Sequence, residues 1–517
     1  MKLFVEVHPG DYRDSIQLLF ASGAMSEMEG VQKASIAMGT GASKTMFRLM
    51  GMNDPAIEQA GPSDLVIAVI AADEEVFRKA VAKGFAEMDS IAPADDGKPV
   101  YATIQEAVAA RPDARVCVLS IPGEFVKAEA VHALNQGLHV VIFSSHVSPE
   151  DELEIKLKAK EKGLLCMGPD CGVVNLNGTA FLLGSITRRG PFGLCGATGV
   201  GIQHVGALLQ AAGSGVSQIL GTGGGDLKLP VGGITMLMGI DALEADPETQ
   251  SILLVSRKPA DEVLQSILSR ISQCRKPVVA CLMGCERAMV ESSGAVYAEN
   301  LDDVAVQALR LIGKTLPLQS DEELRALAAE AAQGMSPKQK YVRGLFTGGT
   351  YCDEAMRALA PLIGDVHSNC PLKPELLLKD SLHSEFHTCL DCGEDEFTLG
   401  KPHPTMEPSI RKPFVLAEGR DEETAVLLLD FIFAVAGAVD PVGAVIDEIR
   451  DAMRTARLRG GRLAVVASVC GTDADFQNLD EQKRKLRDAG VYVCDTNYRA
   501  ALLAGEIIRR RNGGENA

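Results

Sequence analysis

Residues 115–172 read RVCVLSIPGEFVKAEAVHALNQGLHVVIFSSHVSPEDELEIKLKAKEKGLLCMGPDCG. Arg115–Ser120 and His139–Phe143 are short apolar runs rich in β-branched residues, the signature of buried strands. Between them, Glu124–Asn135 carries a helical pattern that ends at Gly137. Glu150–Lys162 is charged, of helical length, and closed by Gly163. Leu164–Met167 returns to strand and runs into the turn Gly168-Pro169-Asp170-Cys171-Gly172. Strand and helix alternate so closely that the strands must be joined by helical crossovers. The fold class is therefore α/β, with a parallel, Rossmann-like sheet.

Working outward, three blocks emerge. The first, 1–187, is expected to be one Rossmann-like domain, with a surface loop at 91–99. The second, 188–318, opens on a strand entering a glycine-rich turn, Gly193-Leu194-Cys195-Gly196-Ala197-Thr198-Gly199-Val200-Gly201. A helix follows over Gln203–Ala212, then strands at Ser251–Val255 and Pro277–Met283. Residues 319–339 are charged and Ala-rich and read as a linker. The third block, 340–517, repeats the second. Its Val342–Phe346 strand meets Thr347-Gly348-Gly349-Thr350; Ala425–Asp430 matches Ser251–Val255, and Leu463–Cys470 matches Pro277–Met283. Gly224 and Asp226 find counterparts in Gly393 and Asp395.

Composition fits this pattern and removes several function classes. Apolar residues make up 46% of the 517, aromatics only 4%, and there are 51 glycines and no Trp. That is the vocabulary of buried parallel sheets. A net charge of −18 without a basic, aromatic-interleaved stretch argues against nucleic acid. Thirteen scattered cysteines suit a reducing compartment rather than a disulfide framework. Met1–His8 has no signal-peptide core, and the most apolar stretch, Ala425–Val439, is too short to span a bilayer and contains Asp430. A cytoplasmic protein with no membrane association is expected.

The paired turns, Gly196-Ala197-Thr198-Gly199 and Thr347-Gly348-Gly349-Thr350, each lie between a strand and a helix. Free backbone N–H groups and the helix dipole favour an anion there, and small side chains let it approach. Each helix end contributes about 0.3–1 kcal/mol, so a cation should assist. Arg257, Lys258, Lys401 and Arg411 are the candidates. Ordinary βα turns look the same; the duplication is what favours a phosphate-bearing ligand. Asp170 and Cys171, in a turn at a strand's carboxyl end, either border a ligand crevice or close a tight structural turn. His383, His387, Cys389 and Cys392 have a His-x3-His-x-Cys-x2-Cys spacing compatible with zinc, but the pattern is equally met by unrelated residues, and no metal is assigned.

The run from Val116 to Gly172 resembles the CoA-binding domain of succinyl-CoA synthetase α chains, which close this region with a similar Gly-Pro-Asn-Cys turn. GLCGATGVGIQ (193–203), GTGGGD (221–226), DALEADPETQSILLV (241–255) and KPVVACLMG (276–284) resemble the ligase domain of those chains in order and spacing. The third block resembles the ligase domain of the β chain, and no ATP-grasp domain intervenes. In this the whole chain resembles the FdrA family, and HTCLDCGEDEFTLGKPHPTMEP (387–408) is similar to that family's characteristic segment. The fold implied is a Rossmann-like domain of the CoA-binding type followed by two flavodoxin-like domains of the succinyl-CoA synthetase type.

The chain departs from the synthetases where they carry a phosphorylated histidine. The corresponding loop, Gly284–Gly294, has none, and no histidine occurs between His204 and His367. A phosphohistidine relay is not expected. The residues call for no cofactor; CoA enters only through the resemblance, and Met38–Lys44 is the nearest substitute for its glycine-rich loop. The FdrA resemblance implies one subunit of a carbamoyltransferase that joins carbamoyl phosphate and oxamate in purine (allantoin) breakdown, with partner protein subunits. Under it, His387, Asp395 and His403 would be catalytic acid–base groups. Gly224, Gly225, Asp226, Asp391, Gly393, Asp170 and Cys171 would line the substrate. Two rivals keep the fold: an NDP-forming acyl-CoA synthetase, and a non-catalytic scaffold subunit.

Overall fold

The computed structural model describes residues 1–13, 15–26, 28–90, 99–398 and 402–513. The chain forms two compact units, Met1–Val100 with Cys392–Pro404, and Tyr101–Asp391 with Thr405–Ala517.

In the first unit, β1 (Lys2–His8) and β2 (Val31–Met38) flank β3 (Leu65–Ala71), and both pairings are antiparallel. β3 is apolar throughout because both of its faces are covered. Leu65, Ile67 and Val69 pack with Leu18, Met25 and Phe77, while Val66 and Ala68 pack with Phe47, Met52 and Ile57. The single Rossmann-like domain expected over 1–187 is therefore divided. A strand buried on both faces shows the same continuous apolar run in an antiparallel sheet as in a parallel one. Most of the loop expected at 91–99 lies outside the described residues.

The second unit holds three sheets. β4 (Val116–Leu119), β5 (His139–Ile142) and β6 (Cys166–Met167) form a short parallel sheet. The rest of the first block, β7 (Val173–Leu176) and β8 (Thr179–Leu182), joins the next sheet as an antiparallel edge. That sheet continues with β9 (Arg189–Gly196), β10 (Val216–Gly221), β11 (Ser251–Arg257), β12 (Val278–Met283) and β13 (Val296–Tyr297), in the order β13-β12-β11-β9-β10-β7-β8. The third sheet holds β14 (Tyr341–Phe346), β15 (His367–Ser368), β16 (Thr388–Asp391), β17 (Thr424–Ile432), β18 (Ala464–Cys470) and β19 (Tyr492–Cys494), in the order β15-β16-β14-β17-β18-β19. Counted from β9, the parallel strands of the second sheet follow the doubly wound 2-1-3-4-5 order; β14, β16, β17, β18 and β19 repeat it in the third sheet, where β15 adds an edge strand beside β16, and in each lobe the order reverses beside the glycine-rich turn.

The expected linker is part of the core. Leu324, Ala328 and Ala331, spaced as one helical face of Asp321–Ala331, are buried with Ala500, Leu503 and Ile507 of the Asn497–Arg511 helix. A narrow Ala-rich stripe on a charged helix hides this role from a composition reading.

Two buried polar junctions pin these parts together. The Lys156 ammonium is fully buried and meets Glu152 Oε1 at 2.7 Å, Asp226 Oδ1 at 2.8 Å and the Thr222 carbonyl at 3.0 Å. Burial alone lowers this ammonium, but the two carboxylates outweigh it and hold it charged. Asp226 also accepts from the Thr235 and Met236 N–H groups, at 3.0 and 2.9 Å, closing the start of the Ile234–Ala245 helix. Between the lobes, His204 meets Tyr351 Oη at 2.5 Å and Asp302 Oδ1 at 3.0 Å, and Asp302 Oδ2 accepts from the Thr496 hydroxyl at 2.7 Å. Burial by itself lowers the His204 imidazole; hydrogen bonding to and charge attraction by Asp302 and Cys470 together outweigh this and push it up to about 10.

Asp226→Ala strips the buried ammonium of one partner and the helix of its cap, and should cost about 3–5 kcal/mol, read as a lower denaturant midpoint. The raised His204 value fixes the sign of a pH effect. Its stabilisation is complete below about 6.5, the ordinary histidine value, and is lost as pH climbs toward about 10. The thermal midpoint should therefore fall more steeply between pH 7 and 10 in the natural chain than in His204→Gln.

Candidate functional site

β9 ends at Gly196 and β14 at Phe346, and the helices Gly199–Ala211 and Gly349–Ile363 follow directly. The Thr198 hydroxyl accepts from the Gly201 N–H at 3.1 Å, which leaves the first-turn N–H groups of Gly199 and Val200 unclaimed by the helix. The second helix has Gly348 as its N-cap and no side-chain cap. Thr198 Oγ1 and Thr350 Oγ1 share a short hydrogen bond, so the two helix N-termini meet. Ala197 is half-buried beside them.

The surrounding residues hold these turns in place. Thr347 gives its N–H to Asp430 Oδ1 at 2.9 Å and its hydroxyl to Oδ2. Asp430 is completely buried and pairs with Arg411 at 3.1 Å. Arg411 also donates to the carbonyls of Leu345 and Asp430, at 3.2 and 2.7 Å, so it belongs to the framework rather than to a ligand. Arg257, at the end of β11 in the other lobe, is the cation at the turn. A side-chain carbon on Gly349 would collide with the Arg257 guanidinium and with Asp391 Oδ2, which explains the glycine. Lys258 is spent on Asp261 at 3.2 Å, and Lys401 lies outside the described residues.

Of the other residues singled out from sequence, Asp391 is well placed: it ends β16, beside β14, with its carboxylate at Gly349. His387 is not. It precedes β16, and its Nδ1 accepts from the Val342 N–H near the start of β14, at 3.1 Å. That is the amino end of the parallel sheet, roughly 13 Å from the turn at 3.3 Å per residue. Burial, then the nearby Arg343, pushes its imidazole down to about 4. His387 is thus a structural acceptor, not the expected acid–base group. Gly393, Asp395 and His403 fall on the 392–404 segment, with the first unit. There, burial pushes the His403 imidazole down to about 4. Asp226 is consumed by Lys156 and by a helix N-terminus, so the expected substrate contact is a brace. Cys171 is buried, its thiol is held by the Gly221 carbonyl at 3.3 Å, and burial pushes it up to about 12; it too is structural.

Asp170, Gly225 and the exposed Gly224 lie elsewhere. Asp170 and Gly225, with Ser145, Glu152, Lys228 and Val231, border a cleft of about 200 Å³ at the carboxyl ends of β5 and β6. Glu152 escaped the sequence reading because nothing distinguishes it within a charged helix. Asp430 does carry a signal in the sequence, as a lone carboxylate within an apolar run. The zinc-like spacing does not gather: His387 is bonded to Val342, Cys389 sits in the core, and His383 is exposed beside Asp380.

Comparison with known proteins adds the family. Residues 1–101 match a family described as AllF, heavy metal-associated domain, and residues 345–507 match CoA-ligase. Residues 1–101 contain no cysteine and one histidine, His8, so they do not fit a thiolate-held heavy metal. The chain is 28% identical over 199 residues to the succinate–CoA ligase [ADP-forming] subunit alpha-2 of Trichomonas vaginalis, covering 36% of this chain and 62% of that one. ATP citrate lyase from Methanothrix soehngenii, solved with citrate and coenzyme A, covers 80% of this chain and 86% of its own at 13% identity and a TM-score of 0.36, too loose a likeness to carry an argument. No helix among the described residues is long and apolar enough to cross a membrane. The uncharacterized protein YahF of Escherichia coli is 40% identical over 512 residues, 98% of this chain and 99% of that one. The chain belongs to the YahF family, which joins an AllF-like heavy-metal-associated N-terminal domain to a succinyl-CoA synthetase-like CoA-ligase fold.

Proposed function

We propose that the meeting turns form a phosphate cradle, and that the chain is the phosphate-binding subunit of a carbamoyltransferase acting on carbamoyl phosphate and oxamate in allantoin-derived purine breakdown. The observation that carries this reading is the meeting of two helix N-termini beside Arg257, with no histidine in the Gly284–Gly294 loop to carry a phosphoryl group. A cradle that cannot pass phosphate to the protein suits a soluble acyl phosphate, whose acyl group is transferred to an acceptor while phosphate leaves. The phosphate would rest on the first-turn N–H groups and Arg257. The oxamate nitrogen would attack the carbonyl carbon; the carbon–oxygen bond to phosphate breaks, its electron pair leaves on phosphate, and oxalurate forms. Asp391, the carboxylate at the turn, is the proposed acceptor of the nitrogen's proton. Partner subunits would complete the acceptor side.

The second reading is an acid–thiol ligase, favoured by the likeness to CoA-ligase chains. It would need a partner supplying ATP and another group to carry phosphate.

A charge-assisted hydrogen bond from arginine is worth about 1.5–3 kcal/mol, more than one helix end. Arg257→Ala should weaken binding of carbamoyl phosphate and phosphate roughly 10–100-fold by calorimetry, without lowering the melting temperature. Gly349→Ala should abolish that binding. Saturable binding of CoA, with indifference to carbamoyl phosphate, would return the chain to the ligases.

A further inference from the structure

Two thiols meet close behind the Gly349 turn. Cys352 lies near the start of the Gly349–Ile363 helix, and Cys370 follows β15. Both cysteines are free, and their sulfurs are 3.9 Å apart. Both also contact the Ser368 hydroxyl, Cys352 at 3.8 Å and Cys370 at 3.6 Å, and the Cys370 N–H donates to that oxygen at 3.0 Å. The two thiols differ in access. Cys352 is fully buried, and burial holds its thiol well above the usual range; Cys370 is half-buried and can be reached from solvent. Cys370 Sγ also lies within 4.8 Å of a carboxylate oxygen of Asp391, whose Oδ2 stands against Gly349.

A sulfur–sulfur bond of about 2.05 Å asks these atoms to approach by roughly 2 Å. Cys370 lies outside helix and strand, where the backbone can give. We propose that Cys352 and Cys370 are an oxidative modification site for hydrogen peroxide, and that their disulfide weakens phosphate binding at the turn. The accessible Cys370 reacts first. Its sulfur attacks one peroxide oxygen, the O–O bond breaks, and water leaves with the thiol proton, giving a sulfenic acid. The Cys352 sulfur then attacks Cys370, the S–O bond breaks, and a second water leaves with the Cys352 proton. Two thiols are oxidised and one peroxide is reduced to two waters. The bond reaches the site through both partners. Asn369, next to Cys370, donates to the Asp391 carbonyl at 3.0 Å and accepts from the Asp391 N–H at 2.9 Å. Cys352 rides on the helix whose first turn would face the ligand. Drawing the sulfurs together shifts Asp391 against Gly349, where Arg257 also sits. This effect rests on the phosphate cradle; the bond itself does not.

The test treats the full chain, reduced and freed of reductant, with a small excess of hydrogen peroxide. Mass spectrometry after alkylation should find two of the thirteen thiols lost and one peptide pair joined through Cys352 and Cys370, with both thiols restored by dithiothreitol. Cys352→Ala should instead leave a sulfenic acid on Cys370 that dimedone traps. By calorimetry the joined chain should bind inorganic phosphate about tenfold or more weakly than the reduced chain, and recover on reduction. Cys370→Ser, at a half-buried position, should bind phosphate like the reduced natural chain both before and after peroxide. Peroxide that leaves both thiols free, or that joins either to another cysteine, would overturn the pair. A joined chain that binds phosphate undiminished would overturn its effect on the site. A reduced chain indifferent to phosphate would sink the cradle instead, and the joined peptides would still establish the pair.

Discussion

The constraint on which the site depends is that two doubly wound sheets present their carboxyl ends to each other. This brings two helix N-termini, each worth about half a positive charge, within one hydrogen bond at Thr198 and Thr350. Like partial charges do not gather unaided. Asp430 and Asp391 supply compensating carboxylates close by, and the buried Arg411 holds Asp430 in place. One turn deeper, His204 of one helix meets Tyr351 of the other and Asp302 behind them, tying the same two helices at a second level. The framework keeps the N-termini together, and the unclaimed N–H groups are what it has to offer a ligand.

The sequence made the lobes legible because their strands are continuous apolar runs stopped by glycine, and because the pattern occurs twice. It did not reveal which end of a strand a side chain would occupy. His387 and Asp391 lie four residues apart, yet one precedes β16 and the other ends it, so only Asp391 reaches the turn. Asp226 looked available because its partner, Lys156, is 70 residues away. The antiparallel first unit was hidden by the double-sided burial of Leu65–Ala71, which erases the alternation that identifies a one-sided sheet.

The two candidate pockets are neighbours along the backbone. The Thr222 N–H donates to the Gly196 carbonyl at 2.9 Å, so the loop that forms one wall of the cleft starts at the first glycine turn. Lys156 then grips the Thr222 carbonyl from the other side. A shift of this loop would be felt at both pockets, one built for an anion and the other edged with carboxylates.

The excursion of residues 392–404 into the first unit has a consequence for synthesis. The polypeptide finishes the first hundred residues early, but the piece that completes that unit is translated only after the intervening 101–391. At about 5–20 residues per second, those intervening residues take roughly 15–60 s. For that interval the nascent first unit lacks Phe397 and the rest of the segment, and its assembly ends only when most of the second unit has left the ribosome.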